Sequence, residues 1–293
     1  MTDENGDHSS LRPVLVRLLE GRVGSTLVMQ LLGTAPEVAF DRVYPFEHSY
    51  LTYLTRLIGQ IAAPRPDGVD MVELLYGDTL RVGPLPFPSE QVDAAEFARD
   101  SLHGVWQAFS RAMQAASTTR ARFYAEKFWG DVGPVVAAGL EPIVVDLVRD
   151  PRDIVASVRA FNAKTGKQLF GRAQARDDRE HLKRMVVGIG FRLQEFAVPL
   201  PVSHLVIRYE DLVADLPAEA ARLATALGVQ LEVDAVIGAR PEMAHHMTSE
   251  SLDRSVDRWA RDLSPEDVRV VERRLGKQML RLGYSVSADH DPA

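Results

Sequence analysis

Short apolar runs alternate with longer amphipathic ones along most of the chain. Residues 13–19, PVLVRLL, form an apolar run with β-branched members and predict a buried strand. A tight polar turn follows. The pattern over 26–32 is then helical until Gly33 and Pro36 stop it. Residues 37–40 read as a second strand. Over 47–61, Leu51, Leu54, Leu57, Ile58 and Ile61 recur at helical spacing. Residues 63–88 carry five prolines with glycines between them and read as a surface excursion, with a short helix near 71–75. A long helix is predicted over 89–116, with Ser89 as its N-cap.

The second half alternates more regularly. Strands are predicted over 122–125, 143–148 and 204–207, and helices over 132–139, 151–163, 180–196 and 217–227. Residues 165–180 are polar and glycine-bearing, which predicts a mobile loop. Residues 228–263 read as a connector. A last amphipathic helix over 264–282 opens with Ser264, Pro265 and Glu266, an N-cap, a first-turn proline and an early acid. Alternation of this kind predicts an α/β fold, a mostly parallel central sheet flanked by helices. Ligands of such sheets sit at the carboxyl ends of the strands. The turn after Leu19 and the residues after Val148 and Ile207 should therefore share one edge. The domain expected is 11–285, between a disordered tail at 1–10 and a flexible end at 286–293.

Composition narrows the chemistry. A net charge of -7 argues against general nucleic-acid binding, which needs a basic surface. With no cysteine, disulfides, thiolate metal sites and a cysteine nucleophile are excluded. The first ten residues, MTDENGDHSS, lack the basic segment and apolar run of a signal peptide. No apolar run approaches the roughly 18 residues of a membrane span. A cytoplasmic protein without a transmembrane segment is the simplest expectation.

The turn EGRVGST, residues 20–26, joins the first strand to the first helix. Backbone N–H groups from Gly24 to Leu27 would face outward there and could bind an anion. Ser25 and Thr26 add hydroxyls, Arg22 adds charge, and Gly24 permits close approach. An ordinary helix cap is the competing reading. A nucleotide triphosphate loop, G-x-x-x-x-G-K-[ST], is not matched, because Ser25 stands where lysine belongs. In LVRDPRDIVASVRAF, residues 147–161, a strand ends at Val148, Arg149 follows at its carboxyl edge, and Ser157 lies two turns into the next helix. The two reach one oxyanion only if the chain doubles back at Asp150-Pro151. The alternative is a helix cap with surface ion pairs of Arg149 or Arg152 with Asp150 or Asp153. The adjacent His245 and His246 have no evident metal partners, and no metal site is expected.

In combination these segments resemble the sulfotransferase superfamily that uses 3′-phosphoadenosine 5′-phosphosulfate (PAPS). EGRVGSTLVMQLL resembles the 5′-phosphosulfate loop, and LVRDPRDIVASV the 3′-phosphate segment. VIRYEDLVADL resembles the strand-to-helix piece that follows, and SLDRSVDRWARDLSPEDVRVVERRLGKQMLRLGY the C-terminal portion. The pieces occur in the family's order between residues 14 and 284. The resemblance implies a P-loop, nucleotide-kinase-like sulfotransferase fold, with PAPS as donor and adenosine 3′,5′-bisphosphate as product. It implies that Arg22, Gly24, Ser25, Thr26 and Leu27 hold the 5′-phosphosulfate, and that Arg149 and Ser157 hold the 3′-phosphate. By the same resemblance Tyr209 lies near the adenine, and Arg254 or Arg258 closes over the nucleotide.

An acceptor hydroxyl needs a base. Relatives carry a glutamate in the region matching FDRVYPFEHSY, residues 40–50. Here Glu47 is the first candidate and His48 the second, with Tyr44 standing where an acid would precede proline. A helix N-terminal acid is the competing reading for Glu47. FYAEKFWGD, residues 123–131, resembles the family's E-K-T-P element, with Lys127 directed at the sulfuryl group or the bridging oxygen. The other reading makes Glu126 and Lys127 solvent-facing charges. Tyr44, Phe46, Tyr50, Tyr53, Phe128 and Trp129 are candidates for an acceptor pocket, or for core. Segments 63–88 and 165–180 have the length of lids. The acceptor expected is a small molecule, lipid or carbohydrate, with no nucleic acid, and a homo-oligomer stays open. The alternatives are a P-loop small-molecule kinase and a noncatalytic nucleotide-binding module on the same fold.

Overall fold

The computed structural model describes residues 10–62, 93–116, 121–238, 248–249 and 251–287. The tail through residue 9, the proline-rich segment 63–88, Ser89, the pair His245–His246 and the last six residues lie outside them.

Five strands build one mostly parallel sheet: β1 Arg12–Leu18, β2 Val38–Ala39, β3 Phe123–Phe128, β4 Ile143–Val148 and β5 His204–Arg208, in the order β2-β3-β1-β4-β5. β1 and β4 carry the apolar runs seen in the sequence and are buried along nearly their whole length, as expected for strands covered on both faces. With β1 in the centre, the chain fills first one side of it and then the other. That reversal is where α/β sheets open a crevice.

The chain divides into two compact units, Met1–Val16 with Ala35–Val144, and Arg17–Thr34 with Val145–Ala293. In the first, β2 pairs with β3 in parallel, with Val38 opposite Phe123. Helix α2, Tyr50–Ala62, packs on α3, Ala94–Ala116, and a short α4, Gly133–Ala137, follows β3. Trp106 of α3 is fully buried and donates its indole N–H to the Leu11 carbonyl at 2.8 Å. Phe109 stacks on Tyr50 and meets Tyr124 edge-on.

The second unit holds α1, Ser25–Leu32, α5, Pro151–Thr165, and α6, Asp178–Phe196. After β5 come α7, Tyr209–Ala214, α8, Leu216–Leu227, and α9, Val233–Gly238. The unit ends with α10, Trp259–Asp262, and α11, Pro265–Arg281. α6 packs along α11, and Gly190 admits the Leu275 side chain, 3.1 Å from where a β-carbon would stand. Arg17, inside β1, is buried against Asp146 of β4 through two 2.6 Å bonds, and Asp146 also contacts His204 Nε2 at 2.8 Å. A buried arginine is tolerated because its charge is fully paired.

Several expectations shift. The helix expected over 47–61 begins only at Tyr50, where Glu126 of β3 accepts from the N–H groups of Leu51 and Thr52. The strand expected over 122–125 runs on to Phe128 and takes in Glu126 and Lys127. Asp93 caps α3, accepting from the N–H groups of Ala95 and Glu96, while Ser89, the expected cap, lies outside the described residues. The connector 228–263 contains α9, α10 and a 3-10 turn at Asp253–Ser255. Segment 165–180 is pinned by paired bonds between Asn162 and Leu169 and by a contact of His181 with the Phe170 carbonyl. Ser264 caps α11 as expected, accepting from Asp267 N–H. Among the described residues no helix is long and apolar enough to cross a membrane.

Candidate active site

The turn after β1 lies wholly in the second unit. Leu19 N–H extends the ladder to Leu147, and two residues then take left-handed backbones, Arg22 at φ 72° and Gly24 at φ 88°. Non-glycine residues visit that region rarely, so Arg22 is held there by its surroundings. At Gly24 a side chain is excluded twice, by φ and by the Tyr209 ring, 2.6 Å from the place of a β-carbon. Among the described residues no side chain caps α1. The first-turn N–H groups of Ser25, Thr26 and Leu27 thus keep the orientation of an anion site.

Arg22 donates Nε to Ser157 Oγ at 3.3 Å and lies over the Phe161 ring at 4.7 Å. Ser157 Oγ is 3.4 Å from Thr248 Oγ1. Arg258 reaches that same hydroxyl at 2.7 Å and Ser249 Oγ at 3.2 Å. Arg22, Ser157 and Arg258 therefore converge around Thr248, a residue that carries no motif and could not be picked out in advance. Arg258 is anchored by Asp262 at 2.6 Å. Arg254 is exposed, and its backbone N–H goes to Ser251.

Arg149 follows β4, as the alternation requires, and is 3% exposed. Its guanidinium lies over the Tyr209 ring at 4.2 Å. Its two terminal nitrogens donate to the carbonyls of Arg22 and Ser255, at 2.8 and 2.5 Å, and Tyr209 Oη is 2.7 Å from Ser255 Oγ. Ser157 thus takes its arginine contact from Arg22, while Arg149 braces the turn and the 253–255 segment. Among the described residues, the buried Arg149 Nε has no hydrogen-bond partner. A donor of that kind fits a phosphate oxygen.

The alternative holds in part: Asp150 caps α5 and pairs with Arg152, and Arg149 lies 3.9 Å from Asp153, but all four residues are buried and not at the surface. Arg152 grips Asp150 and Glu272, each at 2.6 Å, and lies 3.9 Å from the centre of the Trp259 ring. Asp153 accepts from the Trp259 N–H at 2.9 Å. Burial pushes the Asp153 carboxyl up to about 7, although the Arg149 charge and that N–H act against it. Glu210 accepts from Asp150 N–H and from the Tyr284 hydroxyl, both at 2.9 Å. The stretch DPRD therefore meets two distant pieces, YED and RW, and Glu210 of YED in turn holds Tyr284 of the closing LGY.

The remaining candidates lie in the first unit. Glu47 and His48 are exposed. Glu47 Oε1 is 3.6 Å from Lys127 Nζ, and His48 Nδ1 is 2.9 Å from Asp41. Glu47 precedes α2 by three residues, so it is not the first-turn acid of that helix. Lys127 is not solvent-facing. It is 3% exposed and donates to the Pro45 carbonyl at 2.7 Å. Glu126 is likewise buried, and desolvation pushes its carboxyl up to about 7 against hydrogen bonds from Leu51 and Thr52. Of the aromatics, Phe46 and Phe128 are buried and Tyr53 is exposed. A cavity of about 200 Å³ in the second unit, walled by Leu193, Phe196, Val206 and Leu282 over Asp146, includes none of the predicted residues. Among the described residues no three metal-ligating side chains cluster.

A mostly parallel sheet flanked by helices, with a tight turn after its central strand and a buried arginine after β4, defines an α/β protein. The sulfotransferase family profile matches residues 20–233, and the chain belongs to the sulfotransferase family. No curated protein matches the sequence. Among solved structures, the sulfotransferase domain from the curacin biosynthetic pathway is 16% identical, with a TM-score of 0.51 over 95% of this chain and 100% of that one, and shows the same fold. The sulfotransferase domain of the Synechococcus PCC 7002 olefin synthase is 16% identical over 98% and 100%, with a TM-score of 0.48. A sulfotransferase from Mycobacterium avium is 14% identical over 94% and 78%, with a TM-score of 0.47. The protein is thus a sulfotransferase, and sulfuryl transfer prevails over the kinase alternative.

Proposed function

We propose that the chain moves a sulfuryl group from PAPS to an acceptor hydroxyl on a small molecule, lipid or carbohydrate. The observation that carries the donor's identity is the set of cations around Ser157 and Thr248 together with the buried Nε of Arg149, which has no partner among the described residues. An anion beyond the one at the helix N-terminus suits that arrangement, and a 3′-phosphate supplies it. The N–H groups of Gly24 to Leu27 with Arg22 would hold the 5′-phosphosulfate. Arg149, Ser157 and Arg258 would hold the 3′-phosphate, and Tyr209 would face the adenine. Bound PAPS would supply the activated sulfuryl group and a bisphosphate leaving group. The chain's own share is positioning and fixed positive charge. Lys127 would neutralise charge on the transferred group. Glu47 would take the proton of the acceptor hydroxyl, with His48 next in line.

Calorimetric titration with adenosine 3′,5′-bisphosphate against ADP tests the donor. Charge-assisted bonds to the 3′-phosphate, which ADP lacks, should make the bisphosphate bind about tenfold tighter or more. Equal, weak binding of both would overturn the proposal.

A further inference from the structure

The roles above leave the carboxylate of Glu126 unused, yet it is only 2% exposed. It stands near the end of β3 and accepts from Leu51 N–H at 2.7 Å, Thr52 N–H at 2.8 Å and Thr52 Oγ1 at 2.9 Å. These are first-turn donors of α2, ordinarily satisfied by the residue just before the helix. That residue, Ser49, is turned elsewhere, donating its hydroxyl to the Lys127 carbonyl at 2.6 Å. The cap thus comes from another strand, 74 and 75 positions away in the chain. Thr52 Oγ1 also accepts from Trp129 N–H at 3.2 Å. The neighbouring Lys127 holds the Pro45 carbonyl with its ammonium group.

Glu126 and Lys127 therefore fix segment 45–52 on both sides of Glu47 and His48. The segment carries a second mark of constraint. Phe46, directly before Glu47, has φ 64°, a conformation a bulky residue adopts only when its surroundings impose it. Its N–H donates to Val43 at 2.7 Å, and its ring meets Phe40 and Tyr44 edge-on. A cap worth little more than helix stability would need none of this. A base whose carboxylate must stand at one place beside a buried ammonium would.

We propose that Glu126 is a positioning residue for the acceptor side of the reaction, capping α2 from β3 so that Glu47 is held beside Lys127. The proposal rests on the roles assigned above to Glu47 and Lys127. Burial of a carboxyl group is unfavourable unless its hydrogen bonds are complete, and three donors converge on this one.

Backbone NMR on wild type and Glu126→Gln tests it. Leu51 and Thr52 amides should exchange about tenfold faster or more in the variant, a loss confined to the cap. The order parameter of the Glu47 amide should fall from the rigid value of about 0.85 toward about 0.6. Amides of α5 and the calorimetric affinity for adenosine 3′,5′-bisphosphate should stay at wild-type values. If Glu126→Gln does not fold, Thr52→Val, which removes only the hydroxyl arm, is read in the same way for a smaller change. Unaltered order at Glu47 in the readable variant would overturn the positioning role. Failure of wild type to prefer the bisphosphate over ADP would instead overturn the donor, and leave the positioning result to stand by itself.

Discussion

Gly24 meets two constraints at once, a left-handed φ of 88° and the Tyr209 ring where a β-carbon would go. Gly24→Ala should therefore cost about 1–2 kcal/mol from the backbone alone, with more from the ring, and the midpoint of urea unfolding should fall. Arg149 presents a different kind of constraint. Its planar fork reaches two carbonyls while its face covers Tyr209. Arg149→Lys keeps the charge and loses both features. The preference for adenosine 3′,5′-bisphosphate over ADP should shrink about tenfold, as read by calorimetry. Glu47→Gln should lower turnover while leaving nucleotide affinity near wild type. Unchanged turnover would pass the role of base to His48.

Whole elements were legible wherever the pattern was local. The strand over 143–148 and the Ser264 cap of the last helix stand where periodicity and capping chemistry put them. The start of α2 did not, because its cap is Glu126, and no local pattern records a partner that far along the chain. The DPRD stretch lies between these cases. Proline and aspartate marked the start of α5 correctly, and Asp150 does accept from Arg152 N–H. Its burial against Glu272, Trp259 and Glu210 depends on elements that arrive later in the chain. Asp150→Ala should thus cost more than an ordinary N-cap. Loss of one partner from a buried ion pair costs about 3–5 kcal/mol, where a cap alone costs about 1. Chemical denaturation separates the two values.

Across the whole molecule the raised carboxyls set the pH response. Asp153 and Glu126, one in each compact unit, hold their protons up to about 7, against ordinary values of 3.8 and 4.5. The folded chain therefore binds more protons than the unfolded chain between those limits. Their stabilising effect is complete below the ordinary values and is lost as pH rises toward 7. Asp267 runs the other way. Arg159 holds its carboxyl below the ordinary range, so its contribution is lost in acid. Urea midpoints should fall as pH rises from about 5 to about 7, and Asp153→Asn should flatten that slope. A midpoint that climbs over this range would contradict the sign.

The sequence by itself determined the alternation of strands and helices, the tight turn after the first strand, the arginine after the fourth strand and the family to which these belong. Each of these is written in residues close together along the chain, where hydrophobic period and capping chemistry act. Tertiary structure alone decided which arginine meets Ser157, that Arg149 braces the turn, and that Glu126 caps α2. Arg22 and Ser157 are 135 positions apart, and Arg149 and Ser255 are 106. Contacts at such distances depend on how the strands order in the sheet and on which polar groups must be satisfied once water is excluded.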